Sequence, residues 1–311
     1  MAMVINTNMG SLNAIRLLDK TSRSQETTME RLTSGLRINH SKDDAAGQSI
    51  VTGMTSQIRG TDMAIRNTND GMSLIQTMDG ASDEVVNMLQ RQRELAIQSL
   101  NGTYNTENRL QMDTEFQQLS TEINRVAGTT KFNEIPIMAN MSTNGAFLSA
   151  NPTELKIQAG WEVANGGSGR DKIGVSIGNF WIGASVSTAI FGKYLSTNAA
   201  GVKSYTVSPY ESARISTVSA ASVTVMRIDS ALSNIGTLRA KWGAVQNRME
   251  YTVSNLQNVN ENMQAARSRI LDTDYARESA NLARTQVLQQ AGMSMLTQAN
   301  QMAQNVMSLL K

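Results

Sequence analysis

Apolar residues recur every seven positions through the last third of the chain. Steps of seven from Ile228 meet Ile235, Trp242, Met249, Leu256, Met263 and Ile270, all apolar. Leu232, Leu238, Val245, Val253 and Val259 fill the intervening positions and complete a stripe at coiled-coil spacing. The pattern predicts one helix over 222–270, about 70 Å long at 1.5 Å per residue.

A second long helix is predicted from near Asp44. Asp43 and Asp44 precede Ala45-Ala46, where carboxylates cap free N–H groups and oppose the helix dipole. Steps of seven from Ile58 give Ile65, Met72, Asp79, Val86, Arg93 and Leu100, a seam broken by two charges. Asn101-Gly102 is a helix stop. A third helix, 106–127, sets Met112, Phe116, Leu119, Ile123 and Val126 on one face. The centre alternates instead. Leu155 and Ile157, then Ile173, Val175 and Ile177, read as two strands of a β-hairpin, with Gly166-Gly167-Ser168-Gly169 as its turn.

The two ends carry thinner stripes. Leu288, Met295, Met302 and Leu309 form one line, with Gly292, Ala299 and Val306 beside it. The N-terminal end offers Ile5, Leu12, Ile15, Leu18, Met29 and Leu32. Such seams are too narrow to hold isolated helices, so the termini are expected to order against neighbouring copies. The expected fold class is mainly α: an elongated bundle of long helices whose terminal helices form a coiled coil, with a small β-hairpin region in the centre.

Composition then removes chemistries. The 311 residues include no cysteine and one histidine, so thiolate metal sites, disulfides and multi-histidine sites are excluded. Lys+Arg number 28 and Asp+Glu 26, a net charge of +2, which gives no electrostatic support for nucleic-acid binding. No run of about 18 apolar residues exists to insert in a membrane, and no cleavable signal peptide is expected at the N-terminus.

The remaining candidates read as ordinary structure. His40 lies in a polar loop with no second ligand in sequence. The glycine-rich stretch 166–172 lacks Walker spacing and a following helix. The 19 methionines suit seam positions and also an adaptable contact surface. Trp161, Phe180, Trp181, Phe191, Tyr194, Tyr205 and Tyr210 suit a small β-rich core. Arg91, Arg93 and Glu94 form a charged patch, with Glu115 beside it if the second and third helices pack antiparallel. Neither an enzyme activity nor a cofactor is expected.

Several stretches resemble bacterial flagellin. They are Val4-Ile5-Asn6-Thr7-Asn8, Leu32-Thr33-Ser34-Gly35-Leu36-Arg37-Ile38-Asn39 and Lys42-Asp43-Asp44-Ala45-Ala46-Gly47-Gln48. Towards the other end are Ala265-Ala266-Arg267-Ser268-Arg269-Ile270, Asp274-Tyr275-Ala276, Gln286-Val287-Leu288-Gln289-Gln290-Ala291-Gly292, Ala299-Asn300-Gln301 and Leu309-Leu310-Lys311. The resemblance spans roughly 1–135 and 222–311.

It implies a filament-core domain, D0, from 1–43 and 271–311. It implies an outer rod domain, D1, from 44–180 and 220–270, with 181–219 as a short variable outer region. It also implies a structural subunit that polymerises into the extracellular flagellar filament used for motility and is exported without a cleaved signal. A hook–filament junction protein is the alternative. The implied polymerisation seam is Leu12, Ile15, Leu18, Leu288, Met295, Met302, Val306 and Leu309. Implied partners are further copies of the chain, the flagellar export apparatus, an export chaperone at the C-terminal region, and the filament cap and hook-associated proteins. By the same resemblance Arg91, Leu95 and Glu115 match a surface read by Toll-like receptor 5, which is equally a D1 contact between subunits.

Overall fold

The computed structural model describes residues 8–138, 154–162, 171–180, 194–197, 203–206 and 213–309; for 194–197, 203–206 and 302–309 it describes the backbone alone. Five helices carry the described chain: α1 Met9–Ser34, α2 Ala45–Leu100, α3 Thr106–Thr129, α4 Val218–Leu271 and α5 Tyr275–Leu309. Three antiparallel two-stranded ribbons accompany them: β1 Lys131–Phe132 with β2 Ile135–Pro136, β3 Glu154–Gln158 with β4 Lys172–Ser176, and β5 Tyr194–Thr197 with β6 Lys203–Thr206. The long helices and the central hairpin follow the sequence pattern. The glycine-rich turn at 166–169 lies outside the described residues.

The chain forms two compact units. One comprises 1–59 and 259–311, the other 60–258, so the division falls within α2 and α4.

In the 60–258 unit, α4 buries Ile228, Ile235, Trp242 and Met249 of the stripe read from the sequence; further along α4, Leu256, Met263 and Ile270 are only half-buried and Val259 is exposed. α3 buries Phe116 and Ile123, with Met112, Leu119 and Val126 half-buried beside them. The α2 seam, however, is rotated from the predicted one. Ile65, Met72, Asp79 and Val86 are only half-buried. The buried line runs through Thr61, Ala64, Thr68, Gly71, Ile75, Met78, Ser82, Val85, Leu89, Gln92, Ala96 and Ser99.

Polar residues hide that line from a hydrophobicity reading, and each pays no unpaired-group penalty. Thr68 Oγ1 donates to the Ala64 carbonyl at 2.7 Å, and Ser82 Oγ to the Met78 carbonyl at 2.8 Å. Gln92 Nε2 donates to the Phe116 carbonyl at 3.0 Å and to Ser120 Oγ at 2.8 Å, tying α2 to α3.

The β3–β4 hairpin lies on α2 and α4. Its register pairs Leu155 with Val175 and Ile157 with Ile173, as the alternation predicts. Ile157 occupies the space that a side chain at Gly71 would need, with Met249 Cε at 3.2 Å from the same point. Trp242 Nε1 donates to the Ser176 carbonyl at 2.6 Å, and its ring centroid is 6.4 Å from that of Phe180. At the tight β1–β2 turn, Asn133 (φ 48°) and Glu134 (φ 66°) both adopt left-handed backbone, the conformation a two-residue hairpin loop requires.

In the other unit, α1 and α5 pack side by side. Asn8 caps α1 by accepting from the Ser11 N–H at 3.1 Å, and its Nδ2 donates to the Ala299 carbonyl of α5 at 3.1 Å. Gly35, at φ 72°, ends α1 with its N–H on the Arg31 carbonyl at 2.9 Å. The chain then runs beside the α4–α5 junction. Arg37 N–H donates to the Leu271 carbonyl at 2.6 Å and Thr273 N–H to the Gly35 carbonyl at 3.0 Å. The Arg37 guanidinium caps the end of α4 through the Ile270 carbonyl at 2.6 Å. Asp44 caps α2, accepting from the Gly47 N–H at 2.8 Å, whereas Asp43, expected to share that role, accepts from the Asn39 and His40 N–H groups of the preceding loop.

Candidate functional site

The α1–α5 pair has an unusual distribution of side chains. The covered positions of α1 include Ser11, Ala14, Leu18, Thr21, Gln25, Thr28, Arg31 and Leu32. On α5 they are Glu278, Leu282, Thr285, Gln289, Gly292, Leu296 and Ala299. Small and polar groups therefore dominate the covered side. Gly292 allows close approach there: a Cβ at that position would stand 3.2 Å from Leu18 Cγ, a tight contact.

Larger apolar side chains point outward. Leu12 is 51% exposed, Ile15 53%, Leu288 50% and Met295 61%. Met9, Leu17, Met29, Val287 and Met293 are exposed as well. A soluble helix pair ordinarily buries its large apolar residues and exposes its small polar ones. This pair covers four leucines but leaves many of its large apolar residues in water, which marks a surface awaiting a partner.

The seam expected from the sequence is thus divided. Leu18 is half-buried against α5, whereas Leu12, Ile15, Leu288 and Met295 face away from the covered side. Met302, Val306 and Leu309 lie in α5, with side chains outside the described residues. The line of α5 that meets α1 runs one position beyond Leu288 and Met295, through Gln289 and Leu296. Leu17, Val287 and Met293 did not emerge from steps of seven, because they flank the line that the stepping follows.

One ion pair lies inside the covered side. Arg31 Nη1 donates to Glu278 Oε1 at 3.1 Å, and Asn281 Nδ2 to Glu278 Oε2 at 2.8 Å. The Asn281 bond, followed by the Arg31 bond and charge, holds the buried Glu278 carboxyl below its ordinary value of 4.5. Its stabilising contribution is therefore complete above 4.5 and lost as pH falls through the lowered value. Glu278→Gln is expected to increase proteolysis of α1 and α5 relative to the parent at neutral pH. That difference should shrink on acidification, and a constant ratio of cleavage rates across the titration would contradict it.

The charged patch forms as anticipated in part. Arg91 Nε donates to Glu115 Oε1 at 2.9 Å, which joins α2 to α3, and Nη1 to Glu94 Oε2 at 3.1 Å. Glu115, then Glu94, raises the Arg91 pKa. Arg93 instead reaches Asp229 of α4 at 2.6 Å. Leu95 does not share this outer face: it is 2% exposed and sits in the core. A residue so placed is a support for Arg91 and Glu94, not a group that a partner can touch in this conformation.

His40 is exposed, with Nε2 2.9 Å from Glu30 Oε1. Among the described residues no three His, Cys, Asp or Glu side chains gather as a metal site, and no helix is long and apolar enough to cross a membrane.

Comparison with known proteins matches the bacterial flagellin N-terminal helical region to residues 5–143 and the bacterial flagellin C-terminal helical region to 225–310. The chain is 39% identical over 311 residues to a flagellin of Halalkalibacterium halodurans, covering 99% of this chain and 100% of that one. It is 37% identical to the flagellar filament 33 kDa core protein of Treponema phagedenis, with the same coverage. It is 35% identical to flagellin B of Vibrio anguillarum, covering 100% of both chains.

Proposed function

Because the chain belongs to the bacterial flagellin family, we propose that the outward apolar side of its α1–α5 pair is the surface through which copies join into a flagellar filament. The protein is a structural filament subunit for motility. One observation carries the assignment of the surface: Leu12, Ile15, Leu17, Val287, Leu288 and Met295 stand exposed outside the helix pair, while Leu18, Leu32, Leu282 and Leu296 share its covered side with small and polar groups.

Covering Leu12, Ile15, Leu288 and Met295 against neighbours contributes roughly 1–2 kcal/mol each, since about half of each is already shielded. A contact that joins different patches of successive copies does not close, and so generates a helical polymer.

The finer reading follows the family. Residues 1–43 and 271–311 serve as the filament-core domain D0, and 44–180 with 220–270 as D1, leaving 181–219 as a short variable outer region. The subunit works outside the cell, leaves through the flagellar export apparatus without losing a signal peptide, and meets an export chaperone at its C-terminal region. The filament cap and hook-associated proteins border the assembled polymer. It has no catalytic role. The exposed Arg91–Glu115 pair is a contact between D1 domains that Toll-like receptor 5 can read on free subunits, with Leu95 beneath it. No observation favours the hook–filament junction alternative.

The test is growth from seeds. Purified subunit added to short filament fragments is expected to extend them continuously, as seen by light scattering and electron microscopy. Binding that stops after a layer or two would identify a junction component and overturn the reading.

A further inference from the structure

The α1–α5 pair exposes four thioethers, Met9 and Met29 on α1 and Met293 and Met295 on α5, the last two on opposite flanks of their helix. With no cysteine in the chain, methionine provides its only sulfur. In the 60–258 unit Met78, Met138 and Met249 are fully buried, whereas Met63 on α2 and Met226 on α4 are exposed. Oxidisable sulfur is therefore offered to solvent on the apolar surface assigned to self-association.

We propose that Met9, Met29, Met293 and Met295 are separate oxidation-sensitive positions of the contact surface, through which peroxides block self-association of the free subunit. The proposal rests on the reading of that surface as the contact between copies. In the reaction a sulfur lone pair attacks one peroxide oxygen and the O–O bond breaks. The sulfur gains that oxygen and is oxidised by two electrons. The departing hydroxide takes the proton left on the transferred oxygen, so hydrogen peroxide yields one sulfoxide and one water.

Each sulfoxide replaces a soft apolar group by a strong hydrogen-bond acceptor. On an exposed helix face this acceptor stays hydrated, so the monomer keeps its fold. Between copies it has no donor, and the contact weakens by roughly tenfold or more. Burial in the polymer shields the same sulfurs, which confines the sensitivity to free subunits. Enzymatic reduction of the sulfoxides reverses the block.

The test treats full-length subunit with hydrogen peroxide and maps oxygen addition by peptide mass spectrometry. The four named residues should oxidise before Met78, Met138 and Met249, with helix content unchanged. Seeded elongation should fall roughly tenfold or more and return after treatment with methionine sulfoxide reductase. Met→Leu changes at the α1 pair, the α5 pair and all four positions preserve shape without an oxidisable sulfur. The fourfold variant should retain elongation within about twofold after peroxide, whereas Met63→Leu with Met226→Leu, exposed in the other unit, should give no protection.

Equal loss in the fourfold variant and the parent would overturn the proposal, as would repair of the sulfoxides without recovery of growth. A separate charge substitution distinguishes the underlying reading. If Leu288→Asp elongates normally, the surface assignment itself fails; if it blocks growth while peroxide does not, only the oxidation proposal fails.

Discussion

Leu288→Asp is expected to stop filament elongation while leaving the monomer folded. The side chain is 50% exposed on α5, so an aspartate there remains hydrated in the free subunit. The change in monomer stability should stay within about 0.5 kcal/mol, the usual range for an exposed position. Between copies the same carboxylate has lost its water and faces Val287, Met295 and their counterparts on a neighbour. An unpaired charge in such a setting costs about 3–5 kcal/mol. A cost of that size lowers the elongation constant by more than about 100-fold, and every added subunit incurs it. Circular dichroism should show unchanged helix content, while seeded light scattering stays flat. Leu288→Met, which keeps size and apolarity, should elongate like the parent. Normal growth of Leu288→Asp would overturn the assignment of this surface.

The second large effect is on stability. Trp242→Ala should destabilise the 60–258 unit by about 3–5 kcal/mol. Trp242 is among the largest fully buried side chains, it lies near the Phe180 ring, and its indole N–H satisfies the Ser176 carbonyl at 2.6 Å. Truncation leaves a cavity and an unpaired carbonyl where the β3–β4 hairpin meets α4. Trp242→Phe retains most of the volume and loses the hydrogen bond, so its cost should be smaller, about 1–3 kcal/mol. Urea unfolding followed by circular dichroism measures both. An alanine variant as stable as the parent would show that the hairpin does not depend on this contact.

These two residues also illustrate what periodicity can and cannot reveal. Trp242 lies on a line of large apolar residues in α4, and those four core positions are buried as the spacing predicts. In α3 the same logic holds for Phe116 and Ile123. It fails for the phase of α2, where Thr61, Thr68, Ser82, Gln92 and Ser99 occupy core positions. Thr68 and Ser82 donate to carbonyls of their own helix, while Gln92 and Ser99 donate to the Phe116 and Ile215 carbonyls of other segments, so these polar groups enter the core at little cost and polarity misleads there.

On α5 the failure has a different cause. A stripe of large apolar residues is ordinarily taken to face the rest of its own chain. Here Leu288 and Met295 face outward, while Thr285, Gly292 and Ala299 meet α1. Periodicity alone does not tell such an outward stripe from a core-facing one. The seam of α1 was similarly mixed, with Leu18 inside and Leu12 and Ile15 outside. The backbone pairing of Arg37 with Leu271 and of Thr273 with Gly35 had no side-chain signature to read.

Leu95 shows the limit of carrying a surface over from a resemblance. The motif places it one residue from Glu94, yet helical geometry turns neighbouring side chains by about 100°. Arg91 and Glu94 therefore face solvent while Leu95 enters the core.

The most direct test of the account is a high-resolution electron cryomicroscopy reconstruction of filaments grown from this subunit. Leu12, Ile15, Leu288 and Met295 should be buried between neighbouring copies, with the small and polar α1–α5 contact retained inside each subunit. A filament in which those four side chains remain in contact with water, while copies join through other surfaces, would contradict it.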